Sequence, residues 1–160
     1  GRARPARAAP DFPPIEIVEA RRGSKVDSPS GTAVRTAELI AAAREKVGPV
    51  QSPHVDQRAR GQQVASVAIH SLRRPGVVAR QETILSGAGE SLTIVHDTID
   101  PTAAYAPGIR IAIAAAREAR GVVVGLDSFI DIGVRTRPAR AEAPIADGDV
   151  SGQVAGVTSA

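Results

Sequence analysis

The chain has 160 residues, a length that suits one hydrophobic core and crowds two. Aromatic residues make up 2% against 42% hydrophobic overall, so a core is built from Val, Ile, Leu and Ala, and the absence of Cys excludes a disulfide framework, a thiolate nucleophile and a zinc-thiolate cluster. The net charge of +3 suggests an anionic polymer as partner, but +2 of it lies in residues 1–14 (Arg2, Arg4 and Arg7 against Asp11) and residues 134–160 sum to zero, which leaves a near-neutral body without stacking aromatics and argues against nucleic acid.

In chain order, residues 1–14 hold four prolines and three arginines, a composition that allows at most a short helical stub in a mobile arm. Residues 15–21, Ile-Glu-Ile-Val-Glu-Ala-Arg, alternate apolar and polar with β-branched residues, the period of a half-buried strand. A small-residue loop through Lys25 to Thr32 then feeds a helix in which Ala33, Ala37, Ile40, Ala43 and Val47 recur at helical spacing, with Gly48-Pro49 as its stop. Residues 51–63 read as a polar connection.

Three strand-like runs follow, over 64–73, 77–85 and 91–97, joined by Arg74-Pro75-Gly76 and by residues 86–90; short Gly-containing connections predict an antiparallel meander. Pro101 and Pro107 bracket the start of a second helix whose Ile109, Ala112, Ile113 and Ala116 share a face, and its Ala content predicts burial on more than one side. Residues 122–132 form a short apolar closing segment with strand character. From Val134 onward there is almost no large apolar residue, and a disordered tail is expected. Three regions result: an arm over 1–14, a domain over 15–133 and a tail over 134–160. No apolar run approaches the ~20 residues that span a bilayer and no signal-peptide pattern opens the chain, so a cytoplasmic protein without a membrane partner is expected. Met is absent even at position 1, from which a piece of a longer product is expected.

The strongest local chemical signal is Ser28-Pro29-Ser30-Gly31-Thr32 running into the first long helix. Amides at a helix start lack intrahelical acceptors and sit at the positive end of the dipole, so they bind carboxylate or phosphate; the same residues also suit a plain N-cap made by Ser30 or Thr32. Lys25 adds a nearby charge or a proton. Arg21 and Arg22, neighbours along a strand, point to opposite faces, so only one of them lines a pocket, and solvated charge at a strand end is the competing reading. His54, His70 and His96 show no metal-ligand spacing, and no metal is expected. Gly87-Ala88-Gly89 lies between strands and reads as a hairpin turn, without the helix a dinucleotide cradle needs.

Ile15-Glu16-Ile17-Val18-Glu19-Ala20, followed by Lys25 through Ala33, resembles the signature of the dihydrodipicolinate reductase (4-hydroxy-tetrahydrodipicolinate reductase) family. The likeness continues through Arg60-Gly61, residues 69–73, 76–82 and 89–97, and Pro107-Gly108-Ile109, in the style of actinobacterial members. It covers roughly residues 11–133, the family's C-terminal domain and hinge, and the family's N-terminal Rossmann domain has no counterpart in this sequence. The resemblance implies an α+β fold with a mixed or antiparallel sheet of about four strands flanked by two main helices. It implies an oxidoreductase of lysine and diaminopimelate biosynthesis that uses NAD(P)H, held mainly by the domain lacking here, so that no cofactor-binding residue is expected in this chain. A cyclic dicarboxylate substrate and a homo-oligomer, a tetramer formed through the sheet, follow from the same resemblance. Residue by residue, Lys25 matches the family's proton donor, and Ser30, Gly31 and Thr32 match its substrate-carboxylate site. Arg21 and Arg22 stand where the family has two histidines, a catalytic acid/base and a substrate contact. A guanidinium binds carboxylate but does not cycle a proton, so binding by Arg21 and Arg22 is implied and turnover by this chain alone is not.

Overall fold

The computed structural model describes residues 3–51, 57–126 and 129–130. Strand β1 (Ile15–Arg21) is the middle of a five-stranded sheet of order β2-β3-β1-β4-β5, with β2 Gln62–Val64, β3 Val67–Arg73, β4 Ala79–Gly87 and β5 Glu90–Thr98. The α+β class and mixed sheet match the expectation, with one strand more than foreseen. Period-2 geometry sends Ile15, Ile17, Glu19 and Arg21 to one face. There Ile15 and Ile17 pack with Val67, Ile69 and Leu85 against Ala33, Ala37 and Ile40 of helix α2 (Gly31–Ala43). Alanines at the contact let the helix lie close to the sheet.

The meander is corrected by this topology. β4 and β5 form the expected hairpin around Ala88–Gly89, but β3 and β4 are not neighbours: β1 lies between them, parallel to β3 and antiparallel to β4. The connection crosses the end of β1, where the Arg74 amide donates to the Arg21 carbonyl at 2.9 Å. Both neighbours of a buried central strand thereby satisfy its backbone groups, which a β3–β4 pairing would leave open.

The run over 64–73 is broken rather than continuous. Ala65 and Ser66 both take positive φ (48° and 67°), the conformation of a two-residue hairpin turn, and reverse the chain into β2 and β3. Neither residue usually adopts positive φ, so the sequence does not mark the break as a hairpin turn; the Ser66 hydroxyl accepts from the Val50 amide at 3.0 Å. Gly61 precedes β2 with φ +73°, and a Cβ there would sit 2.7 Å from the Ile69 carbonyl oxygen, so only glycine allows the approach that brings Arg60 to Glu16.

Over residues 3–11 the arm contains the short helical stub that its composition allows, packed against the domain. It forms helix α1 (Ala3–Ala8) and a 3-10 turn, and Ala6 and Ala9 are buried rather than loose. Arg44 explains the docking: its buried guanidinium donates to the carbonyls of Ala9, Phe12, Gly48 and Pro49. Helix α2 therefore ends at Ala43, short of Val47, which is exposed. Helix α3 (Pro101–Ala116) is capped by Asp100, whose carboxylate accepts from the Thr102 and Ala103 amides. It carries no buried residue, and Ile109 and Ile113 are exposed, so the burial predicted for it is absent within a single chain. Residues 122–126 and 129–130 form no strand; 127–128 and all residues from Asp131, the expected tail included, lie outside the described residues.

Candidate functional site

The alternation along β1 decides which arginine turns inward. Arg21 is buried, 8% exposed, whereas Arg22 is exposed and its Nε donates to the Ser24 hydroxyl at 3.1 Å. The Arg21 Nη2 donates to the Ser30 hydroxyl at 3.1 Å, Nη1 to the Ala20 carbonyl at 3.4 Å, and Nε lies 3.5 Å from Glu19 Oε2. Ser30 is the N-cap of α2: its hydroxyl also accepts from the Ala33 amide at 3.4 Å. The capping reading is thus correct for Ser30, and it coexists with a cation placed at the helix start. Helix geometry leaves the Gly31 and Thr32 amides without an intrahelical acceptor.

Beside this helix start is a cavity of about 260 Å³ lined by Arg21, Thr32, Gln81, Thr83, His96 and Tyr105, among others. The β1–β4–β5 register places Gln81, Thr83 and His96 on the α2 side of the sheet, with Gln81 and His96 level with Glu19 and Thr83 level with Ile17. Gln81 Nε2 donates to the Thr36 hydroxyl at 3.0 Å, and Thr36 donates to the Thr32 carbonyl at 2.9 Å, which ties the strand to the first turn of α2.

Of the residues singled out in the sequence, Arg21 and Thr32 reach the cavity wall and Ser30 stands behind Arg21. Arg22 and Lys25 do not line it. The Lys25 ammonium instead pairs with Asp27 at 2.6 Å, and that hydrogen bond holds the Asp27 carboxyl below its ordinary value.

Two residues escaped the sequence reading. Glu19 is fully buried; burial acts to raise its carboxyl, but side-chain hydrogen bonding with Ser71, Arg73 and Ser30 and the charge of Arg73 outweigh this and hold it below the ordinary carboxylate range. Arg73 lies 2.9 Å from it. The signal was present: Glu19 shares the alternating face of Ile15 and Ile17, where a charge needs a partner. His96, read as an ordinary histidine, lies on the cavity wall.

The described residues offer no dinucleotide cradle that fits. The Gly-rich turn at Gly87–Gly89 joins β4 to β5 and leads into no helix, and at the start of α2 the Ser30 amide is taken by Glu19 and the Ala33 amide by Ser30, which leaves those of Gly31 and Thr32. Among the described residues no group of three or more His, Asp or Glu comes together as for a metal ion, and no helix is long and apolar enough to cross a membrane.

The sequence model of the family described as "Dihydrodipicolinate reductase, C-terminus" matches residues 3–130. A 4-hydroxy-tetrahydrodipicolinate reductase of Clavibacter michiganensis subsp. michiganensis is 60% identical, over 96% of this chain and 57% of the relative. The Nocardia farcinica protein of the same name is 42% identical, over 79% of this chain and 52% of its own. The chain thus spans about half the length of the curated relatives it matches. A solved structure, "Dipicolinate bound Dihydrodipicolinate reductase from Paenisporosarcina sp. TG-14", superposes with a TM-score of 0.67 at 32% identity, covering 81% of this chain and 49% of that one. With fold and sequence in agreement, the chain belongs to the dihydrodipicolinate reductase family, over the part of those proteins that the C-terminal model describes.

Proposed function

We propose that the chain is the substrate-binding and oligomerising part of an NAD(P)H-dependent 4-hydroxy-tetrahydrodipicolinate reductase, a cytoplasmic enzyme of lysine and diaminopimelate biosynthesis. The observation that carries the binding role is Arg21. It is a buried guanidinium oriented by Glu19 and Ser30 on the wall of a small cavity, next to the free amides and the hydroxyl of Thr32. Glu19, Arg21 and Arg73 together sum to +1, so the site favours an anion. A planar guanidinium matches a carboxylate in a two-bond fork, and the helix start takes a second carboxylate or its hydrogen-bonding neighbour. The dipicolinate named in the related structure has this chemistry.

Lys25 is the proposed proton donor, Arg22 a proposed substrate contact, and Ser30, Gly31 and Thr32 the proposed carboxylate site. Hydride delivery requires a nicotinamide nucleotide, for which these residues form no cradle; the chain's own contribution is to bind and orient the diacid. Titration of the 160-residue chain with pyridine-2,6-dicarboxylate tests the reading. Saturable binding, weakened about tenfold or more by Arg21→Ala or Thr32→Val, is the expected result. No binding, or binding indifferent to both changes, refutes it. With NADH or NADPH the isolated chain is expected to show no reduction of the substrate, and measurable turnover overturns the need for a second domain.

The arginine pair favours a second reading, a diverged dicarboxylate-binding or oligomerisation module without catalysis, because guanidinium stays protonated at any accessible pH. Installing His at positions 21 and 22, with the nucleotide-binding domain joined, separates the two: a large gain in rate favours the reductase, and no gain favours the module.

A further inference from the structure

One buried carboxylate reaches both ends of the 22–30 loop. Glu19 Oε1 accepts from the Ser30 amide at 3.3 Å and from Arg73 Nη1 at 2.9 Å, while Oε2 lies beside Arg21 Nε. Arg73, reaching across from β3, uses its other N–H groups on the loop itself: Nε donates to the Lys25 carbonyl at 3.2 Å and Nη2 to the Asp27 carbonyl at 2.6 Å. Two side chains thus hold the backbone at Lys25, Asp27 and Ser30.

Nothing apolar does this work. Within the loop Val26 is 97% exposed, and Arg22, Gly23, Ser24, Asp27 and Ser28 are exposed as well. A loop that buries so little is mobile unless polar contacts fix it. Burying a carboxylate against guanidinium groups also carries a desolvation cost that apolar residues of the same size avoid, so the cluster is a poor device for stability alone. Its geometric product is a fixed loop, with Lys25 at one point and the start of α2 at the other.

We infer that Glu19 and Arg73 are positioning residues that hold the 22–30 loop in its ligand-binding geometry, an inference that rests on the dicarboxylate reading above. Arg73→Lys isolates the effect. Lysine retains a cation for Glu19 but lacks the planar fork needed to reach two carbonyls at once.

The test uses the full 160-residue chain and three measurements: melting temperature, affinity for pyridine-2,6-dicarboxylate, and the rate of tryptic cleavage after Arg22 and Lys25. For Arg73→Lys the melting temperature is expected to stay within about 4 °C of the unsubstituted chain. Affinity is expected to fall about fivefold to tenfold, and cleavage in the loop to accelerate relative to other sites. Unchanged affinity and cleavage overturn the inference, as does an affinity loss that only tracks a loss of folded protein. Should Arg73→Lys fail to fold, Glu19→Gln is read in the same way. If the unsubstituted chain does not bind the diacid, the functional reading fails; faster cleavage in Arg73→Lys then still supports the clamp, and unchanged cleavage overturns it.

Discussion

Arg21 donates to the same Ser30 oxygen that caps α2: the Ser30 hydroxyl accepts from the Arg21 guanidinium at 3.1 Å and from the Ala33 amide of α2 at 3.4 Å. Helix cap and candidate ligand cation are therefore one structure. Ser30→Ala is expected to cost about 1–2 kcal/mol of stability through the lost cap and buried hydrogen bond. It is also expected to weaken pyridine-2,6-dicarboxylate binding, because Arg21 loses its alignment. Urea unfolding and calorimetric titration on the same preparation check both halves.

Arg44 joins α2 to the N-terminal segment through carbonyls alone, those of Ala9 and Phe12 among them. Arg44→Ala leaves buried acceptors without donors and is expected to destabilise the chain by about 2–4 kcal/mol. Arg44→Lys, which cannot serve four carbonyls, is expected to recover only part of this. Denaturant melts of the three chains give the order.

Acid should unfold the chain partly through Glu19. Its folded value lies below the ordinary 4.5, so its contribution is complete above that pH and is lost as pH falls through the lower folded value. Glu19→Gln removes this term, and its melting temperature is expected to decline less steeply than that of the unsubstituted chain from about pH 5 to about pH 3. Parallel slopes would assign acid sensitivity elsewhere, with Glu16 the next candidate. Burial acts to raise that carboxyl as well, but His70 and Arg60 outweigh it and hold it low.

The sheet face turned away from α2 carries Leu72 and Val95, 45% and 48% exposed. The proposed oligomer forms through this face. Sedimentation of the chain is expected to give a multiple of the monomer mass, and Leu72→Glu to reduce it, since a carboxylate at the centre of such an interface stays unpaired. A chain that is monomeric without substitution would remove the assembly role.

Much of this fold was legible locally. β1 and α2 follow from periodicity, the β4–β5 hairpin from its glycines, and the inward turn of one arginine from the strand's alternation. The break at Ala65–Ser66 was hidden because neither residue advertises positive φ. The insertion of β1 between β3 and β4 was hidden because pairing partners far apart in sequence leave no local trace. Those two facts determine the cavity. Only once β4 lies beside β1 do Gln81 and His96 join Arg21 on one cavity wall, and only once β3 lies on the other side does Arg73 meet Glu19.

Strand β1 is the first made and the most central. Its partners begin at Val67 and Ala79, so a chain emerging in order holds β1 unpaired through the whole of residues 22–66, whereas β4 and β5 zip together at once. Pairing across such distances carries most of the loop-closure entropy, and the Arg21 cavity exists only after it. Assembly of the binding wall and completion of folding are then the same event, and a half-folded chain has no affinity to lose.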